Sequence, residues 1–392
     1  MNRLTTSWGE YSLTRFPEDP RDALRAWDAS DEYLLRHLAE TDTDLSGAVA
    51  VVGDRWGALT TALAARRPAP RELTQISDSY LGRRASVENL ARSGADPDAV
   101  RLLTTQDAPP ERIDVLLVRV PKSLSLLEDQ LHRLAPALHA GTVVVGTGMV
   151  KEIHTSTLRL FERILGPTRT SLAVKKARLI FCTPDPALAR GSNPWPYRYE
   201  LPADTATVAG RTVVNQAGIF CADRLDIGTR FFLQHLPKDL GRARVVDLGC
   251  GNGVVGLAVA LAEPEAELVF ADESYQAVAS AEENFHAHAE EGRKAEFLVG
   301  DGTADLPDAS VDLVLNNPPF HSHQATTDRT ARRMFTDACR ALRPGGELWV
   351  VGNRHLGYHV TLRRIFGSCE LVASDPKFVV LRAVKQGGPK GG

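Results

Sequence analysis

The run Asn316-Asn317-Pro318-Pro319-Phe320 follows an apolar, strand-like stretch at 311–315. These residue types suit one demanding reaction, substitution at an aromatic exocyclic amine. Such an amine is a poor nucleophile, because its lone pair is delocalised into the ring. Two acceptors on its two N–H groups would hold the lone pair toward an electrophile. The Asn317 side-chain carbonyl and the Pro318 main-chain carbonyl can serve, and Pro318 and Pro319 stiffen the loop that carries them. Phe320 offers a stacking face for a nucleobase withdrawn from a helix or already single-stranded. Asn317, Pro318, Pro319 and Phe320 are therefore the expected catalytic set. A plain turn is the bland alternative, since Asn-Pro commonly starts turns. Open α/β sheets carry their active sites at the carboxyl ends of strands, which favours the catalytic reading.

Other residues fall near the same rim. His321 and His323 follow at once; either could accept a proton, although a structural or substrate-contacting role is the plainer reading. Asn353-Arg354-His355 ends a later strand and points to that rim. Upstream, the segments 215–220 and 225–229 could close over a cofactor or a target base. The expected substrate contacts are Phe220, Phe320, His321, Asn353 and Arg354.

A glycine-rich turn supplies the second constellation. A short apolar stretch, 244–248, runs into Gly249-Cys250-Gly251-Asn252-Gly253 and then an apolar helix over 254–262. Glycine permits positive φ and close approach of a ligand to the backbone, and the helix start presents unpaired N–H groups. A second strand ends in Asp272-Glu273, where a carboxylate can accept from ribose hydroxyls. A third ends in Gly300-Asp301-Gly302, where Asp301 could accept from an adenine amine. The glycines alone fit a nicotinamide dinucleotide as well as S-adenosyl-L-methionine, because Gly251-Asn252-Gly253-Val254-Val255-Gly256 also satisfies G-x-G-x-x-G. Two features separate the readings. The string from Asp247 to Gly253 resembles motif I of class I methyltransferases. In addition, 369–374 and 377–384 flank Asp375-Pro376 as a hairpin, which matches the antiparallel last strand of that fold. The expected S-adenosyl-L-methionine contacts are Asp247, Gly249, Gly251, Asn252, Gly253, Asp272, Glu273, Asp301, Gly302 and Asn317.

The elements that position these residues occur twice. Residues 113–122 align without gaps on 311–320, 51–57 on 247–253, and 141–146 on the strand 347–352. Ser79, Tyr80 and Asn89 match Ser274, Tyr275 and Asn284 at a common offset. Such ordered matches indicate a duplicated fold. The first copy has Arg55 in place of Gly251, and Arg119-Val120-Pro121-Lys122 in place of the asparagine-proline run. It keeps the scaffold and has lost the chemistry. Alternating apolar runs and amphipathic stretches predict an α/β fold: two tandem class I, Rossmann-like domains with mainly parallel seven-stranded sheets and a terminal antiparallel hairpin. Four prolines within 183–199 mark a linker. The expected division is 1–182, a linker at 183–199, a catalytic domain at 200–386, and a tail at 387–392.

Bulk composition narrows the classes. With 392 residues, 43% hydrophobic and 24% charged, the chain is an ordinary globular protein of two or three domains. No apolar run suffices to span a bilayer, no secretory signal is read at the N-terminus, and a cytoplasmic setting is expected. Five scattered cysteines form no CxxC pair, which argues against a disulfide framework and against a zinc site. Residues 1–200 carry a net +1 and the remainder −4, so neither half is a strongly basic binder. Residues 151–200 are the local exception, with nine basic and four acidic side chains.

Taken together, 247–253, 317–321 and the duplication resemble the bacterial ribosomal RNA guanine-N2 methyltransferases built from two tandem class I domains. The large-subunit branch is the nearest counterpart. Further matching residues are 225–228, 272–274, 353–356 and 377–381, with 26–35 in the first copy. The resemblance implies a catalytic C-terminal domain that moves a methyl group from S-adenosyl-L-methionine to the N2 amine of a guanine in ribosomal RNA, 23S before 16S. It also implies an N-terminal domain that no longer binds cofactor and helps recognise RNA. Ribosomal RNA is the expected partner, with no membrane and no metal; the oligomeric state is left open, a monomer being the simplest case. The asparagine-proline motif alone would also fit N-methylation of DNA adenine or protein glutamine. A non-catalytic RNA-binding factor is the remote alternative.

Overall fold

The computed structural model describes residues 3–19, 22–319 and 324–387. The chain divides into two compact units, Met1–Trp195 and Pro196–Gly392. In the first, a hairpin of β1 (Arg3–Thr6) and β2 (Gly9–Ser12) precedes helix α1 (Ala29–Glu40). Strands β3 (Ala48–Val52), β4 (Glu72–Ser77), β5 (Val100–Thr104) and β6 (Ile113–Arg119) then alternate with α2 (Ala58–Ala65) and α3 (Tyr80–Arg92). Helix α4 (Leu124–Leu134), β7 (Leu138–Met149) and α5 (Thr155–Ile164) lead to a closing hairpin, β8 (Thr168–Thr170) and β9 (Ala177–Cys182).

The second unit repeats this plan. It opens with paired β10 (Tyr197–Glu200) and β11 (Thr212–Asn215), then α6 (Ile227–Leu233). Strand β12 (Arg244–Leu248), α7 (Val254–Ala262), β13 (Glu267–Asp272), α8 (Tyr275–His288), β14 (Ala295–Val299) and β15 (Val311–Asn316) follow. Next come α9 (Gln324–Ala341), β16 (Leu342–Asn353), α10 (Tyr358–Phe366), β17 (Glu370–Ser374) and β18 (Phe378–Val384). The two seven-stranded sheets have one strand order, β5-β4-β3-β6-β7-β9-β8 and β14-β13-β12-β15-β16-β18-β17. Five strands in each run parallel, and the expected hairpin supplies the antiparallel pair. The central strands read as continuous buried apolar runs, because helices cover both faces of the sheet.

The copies also match in hydrogen bonding. Asn284 of α8 donates to the carbonyls of Val214 and Asn252, and its Oδ1 accepts from Val214 N. Asn89 of α3 makes the same three bonds, to Thr14 and Trp56. Each buried amide thus clamps an upstream segment to the turn that leads into its unit's second helix, α2 or α7. Asp28 and Asp226 cap α1 and α6, while Ser79 and Ser274 cap α3 and α8. A side-chain cap of this kind contributes about 1 kcal/mol.

The proline-rich stretch expected as a linker at 183–199 has contacts that composition does not register. Asn193 donates to Asp129 at 2.7 Å and the Trp195 indole to Glu128 at 3.1 Å, both within the first unit. Tyr197 already belongs to a strand of the second unit. Among the described residues no helix is long and apolar enough to cross a membrane.

Candidate functional site

In the second unit the parallel register sets the ends of β12, β13 and β15 side by side. Leu248 pairs with Ala271 on one flank and with Asn316 on the other. Beyond Leu248 the chain turns through Gly249, Gly251 and Gly253, at φ +72°, +54° and +76°. A Cβ at Gly253 would lie 2.7 Å from the Ala281 Cβ, so this glycine is needed for packing as well as for conformation. Gly251 differs: nothing lies within 4 Å of where its Cβ would be, leaving its backbone open to a ligand. The loop is braced from two sides. Asp272 accepts from Gly251 N at 3.0 Å and from Ser274 N at 3.0 Å. Asp247 lies beneath the loop, 3% exposed, and accepts from Gly256 N at 2.8 Å. Burial pushes its carboxyl up to about 7, against the Gly256 hydrogen bond and with some help from Asp272. Asn252 is tied by its amide to Asn215 at 2.9 Å.

Asn317 sits one residue past β15. Its Nδ2 donates to Thr229 Oγ1 at 3.0 Å, while its buried Oδ1 has no partner among the described residues. Asn316 next to it donates to Leu248 O at 2.7 Å and likewise leaves a buried Oδ1 without one. Asn353, at the end of β16, has a third such oxygen. A buried amide oxygen without a donor costs about 1–3 kcal/mol, so three at the carboxyl edge of one sheet call for donors from a ligand. Pro318 and Pro319 follow Asn317 as an irregular segment. Phe320 and His321, like His323, lie outside the described residues.

The remaining expected contacts are distributed around this edge. Asp301 follows β14 and is held on both carboxylate oxygens by Arg333 of α9, at 2.9 and 2.7 Å. A carboxylate has further lone pairs, so it can still accept from an amine. Gly302 packs close to Leu248, and Glu273 is exposed beside Asp272. Phe220 is 51% exposed on the loop before α6. Arg354 reaches the carbonyl of Asp375 in the β17–β18 turn, away from Asn317 in sequence and tied to the hairpin. Sequence reasoning did not single out Arg333, and it named Asn316 and Thr229 only within the run 316–320 and the segment 225–229, with no role of their own. For Arg333 the available signal was a basic residue on the helix directly after the asparagine-proline run. For Asn316 it was a second asparagine at the last buried strand position.

At the matching edge of the first unit the space is filled with charge. Arg119, in the position of Asn317, is fully buried and pairs with Asp28 at 2.7 Å, Glu152 at 3.0 Å and Asp31 at 3.4 Å. Arg55, in the position of Gly251, pairs with Glu152 at 2.8 Å and Asp28 at 3.4 Å. Burial raises Glu152, but the two guanidinium groups outweigh it and hold the carboxyl at about 2. Asp31 is driven the other way, to about 7, by burial that Arg119 offsets only in part. Where the second unit has an open backbone and orphaned acceptors, the first has two arginines and three carboxylates paired with one another, although Arg119 Nε makes only its 3.4 Å ion-pair contact to Asp31 and no hydrogen bond.

Two family models match successive parts of the chain. The model of the RLMG N-terminal domain matches residues 1–186, and that of the methyltransferase small domain matches 210–382. Ribosomal RNA large subunit methyltransferase G of Streptomyces avermitilis is 75% identical over 98% of this chain and 99% of its own length. Its namesake in Ectopseudomonas mendocina is 49% identical over 97% and 99%. Among solved structures, the T. thermophilus 16S rRNA N2 G1207 methyltransferase, in complex with AdoMet and guanosine, superposes with a TM-score of 0.74 at 21% identity, over 98% of this chain and 97% of that one. That likeness establishes the fold. The identity over nearly the whole length establishes the family: this chain belongs to the ribosomal RNA large subunit methyltransferases G.

Proposed function

We propose that the second unit transfers a methyl group from S-adenosyl-L-methionine to the exocyclic N2 amine of a guanine in large-subunit ribosomal RNA. The observation that carries this reading is the buried, unpaired Asn317 Oδ1 beside the open glycine loop. The glycine loop fits the cofactor: three positive-φ glycines leave the Gly251 backbone accessible, and Asp301 and Glu273 stand at the ends of the next two strands. When bound, S-adenosyl-L-methionine supplies an electrophilic methyl group. The chain's own part is orientation and charge. Asn317 Oδ1 and the Pro318 carbonyl accept the two amine hydrogens and hold the nitrogen lone pair toward the methyl carbon. Positive charge grows on that nitrogen during transfer, and fixed carbonyl dipoles aimed at it stabilise the change without reorganising. The amine then gives up one proton to water.

Asp247 and Asp272 serve the cofactor through the loop they brace. Phe220, Phe320, His321, Asn353 and Arg354 are assigned to the RNA side. The first unit, its cofactor position filled by Arg55 and Arg119, acts in recognising RNA, and the enzyme works in the cytoplasm on ribosomal RNA. Naming of the near relatives supports the large-subunit substrate. The test offers purified protein labelled S-adenosyl-L-methionine with unmodified ribosomal RNA, duplex DNA or a protein extract in separate reactions. Label in RNA alone is expected. Label confined to DNA or protein would reject the nucleobase of RNA as the target.

A further inference from the structure

We infer that Thr229 is a positioning residue for transfer, acting by fixing which end of the Asn317 amide faces the substrate. The inference rests on the function proposed above and deepens it. An asparagine amide has two ends of opposite character. Only the Oδ1 end can accept from an aromatic amine; the Nδ2 end would set two donors against two donors. Something in the protein must decide the orientation. Thr229 Oγ1 lies 3.0 Å from Asn317 Nδ2 and accepts its hydrogen.

A hydroxyl can donate as well as accept, so its own direction must also be set. Thr229 Oγ1 donates to Asp226 Oδ2 at 3.5 Å, and that same oxygen accepts from Thr229 N at 2.9 Å as the cap of α6. A carboxylate has no hydrogen to give. The sequence of bonds therefore runs one way, from Asn317 Nδ2 to Thr229 Oγ1 to Asp226, and leaves Oδ1 as the buried end without a partner among the described residues. The cap is held against the sheet because Gly228 has no side chain: a Cβ there would sit 2.9 Å from Asp226 Oδ2 and 3.0 Å from the Phe378 ring.

The duplicated fold supplies an independent comparison. Asp28 caps α1 as Asp226 caps α6, so Asp31 stands where Thr229 stands and Arg119 where Asn317 stands. Asp31 and Arg119 touch at 3.4 Å. The same two positions meet in both copies. Where the strand-end residue is an arginine its helix partner is an acid, and where it is the amide its partner is a hydroxyl.

The test compares Thr229→Val, which removes the hydroxyl at nearly constant volume, with Thr229→Ser, which keeps it. Thr229→Val is expected to lower kcat by about 10–100-fold, the range set by one lost buried hydrogen bond. KM for S-adenosyl-L-methionine should stay within about twofold, as expected when an interaction made only in the transition state is lost. Thr229→Ser should recover most of kcat. Full kcat in Thr229→Val, or equal loss in both variants together with lost cofactor binding, would overturn the inference. An activity-independent readout separates it from the proposed function. In protein carrying 15N-asparagine, the Asn317 side-chain NH2 signal, assigned by its loss in Asn317→Ala, should be slow to exchange in the native chain and fast in Thr229→Val. Protection unchanged by the substitution would sink the inference whatever the substrate is. Absence of methyl transfer by the native chain, with the exchange difference present, would sink the proposed function instead.

Discussion

In the reaction proposed above, a single side chain bears most of the chemistry. Asn317 is held at one end and orphaned at the other, a costly state for a buried amide unless a ligand supplies the donors. Asn317→Ala should reduce kcat by roughly 100–1,000-fold, the usual consequence of removing one preorganised dipole from a developing charge. Binding of S-adenosyl-L-methionine, measured by calorimetry, should change little; retained turnover would remove Asn317 from the mechanism. The motif that proposes this residue was legible in the sequence because its signal is local: an asparagine, two prolines and an aromatic after an apolar strand. Its partner Thr229 was not, because the two are 88 residues apart and only the folded sheet brings α6 to the end of β15. Arg333 was hidden for the same reason, its tie to Asp301 spanning 32 residues.

Among the elements, the strand-turn-helix of β12 and α7 is the one whose internal energetics bear on the site. Asp247 is an acid placed where water cannot reach, bonded to one backbone amide of α7 and facing Asp272. Its folded pKa of about 7 stands above the ordinary aspartate value, so between roughly pH 4 and 7 the folded chain keeps a proton that the unfolded chain releases. Stability conferred by this residue therefore falls as pH rises through that window, by about 1.4 kcal/mol per unit, and is level above it. Asp247→Asn keeps an acceptor for Gly256 and cannot ionise. Thermal melts of the native chain and Asp247→Asn across pH 4–8 should show the difference shifting in favour of the variant up to about pH 7 and then holding constant. A difference independent of pH would mean that Asp247 is ionised in the folded state throughout. The strand and helix pattern here was plain from the sequence, as were the closing hairpin and the glycine turn. The bracing role of Asp247 was not, since its spacing before Gly249 suits a cofactor contact equally well. Short paired strands such as β10 and β11 also escaped notice, because four mixed residues beside prolines carry too little periodicity to register.

Across the whole molecule, duplication has produced one open site and one closed by charge. The near-neutral net charge of the first half conceals this, because Arg55 and Arg119 are balanced within it by Asp28, Asp31 and Glu152. Calorimetric titration with S-adenosyl-L-methionine should therefore give one site per chain; two would contradict the role assigned to Arg55 and Arg119. Arg119→Met should destabilise the first unit by about 3–5 kcal/mol, since it leaves carboxylates buried without their main partner. Cofactor binding in the second unit should persist at temperatures below the melt, and its loss would contradict the separation of roles. Duplication itself was legible, because matched strands and glycines repeat at near-constant offset; what replaced the lost chemistry was not, because Asp28, Arg55, Arg119 and Glu152 converge only in three dimensions. The identity of the product tests the proposed chemistry of the second unit most directly. Unmodified large-subunit ribosomal RNA would be incubated with the protein and labelled S-adenosyl-L-methionine, digested to nucleosides and separated. Label in N2-methylguanosine alone is the predicted result; label in any other nucleoside, or none in RNA while the cofactor binds, would contradict it.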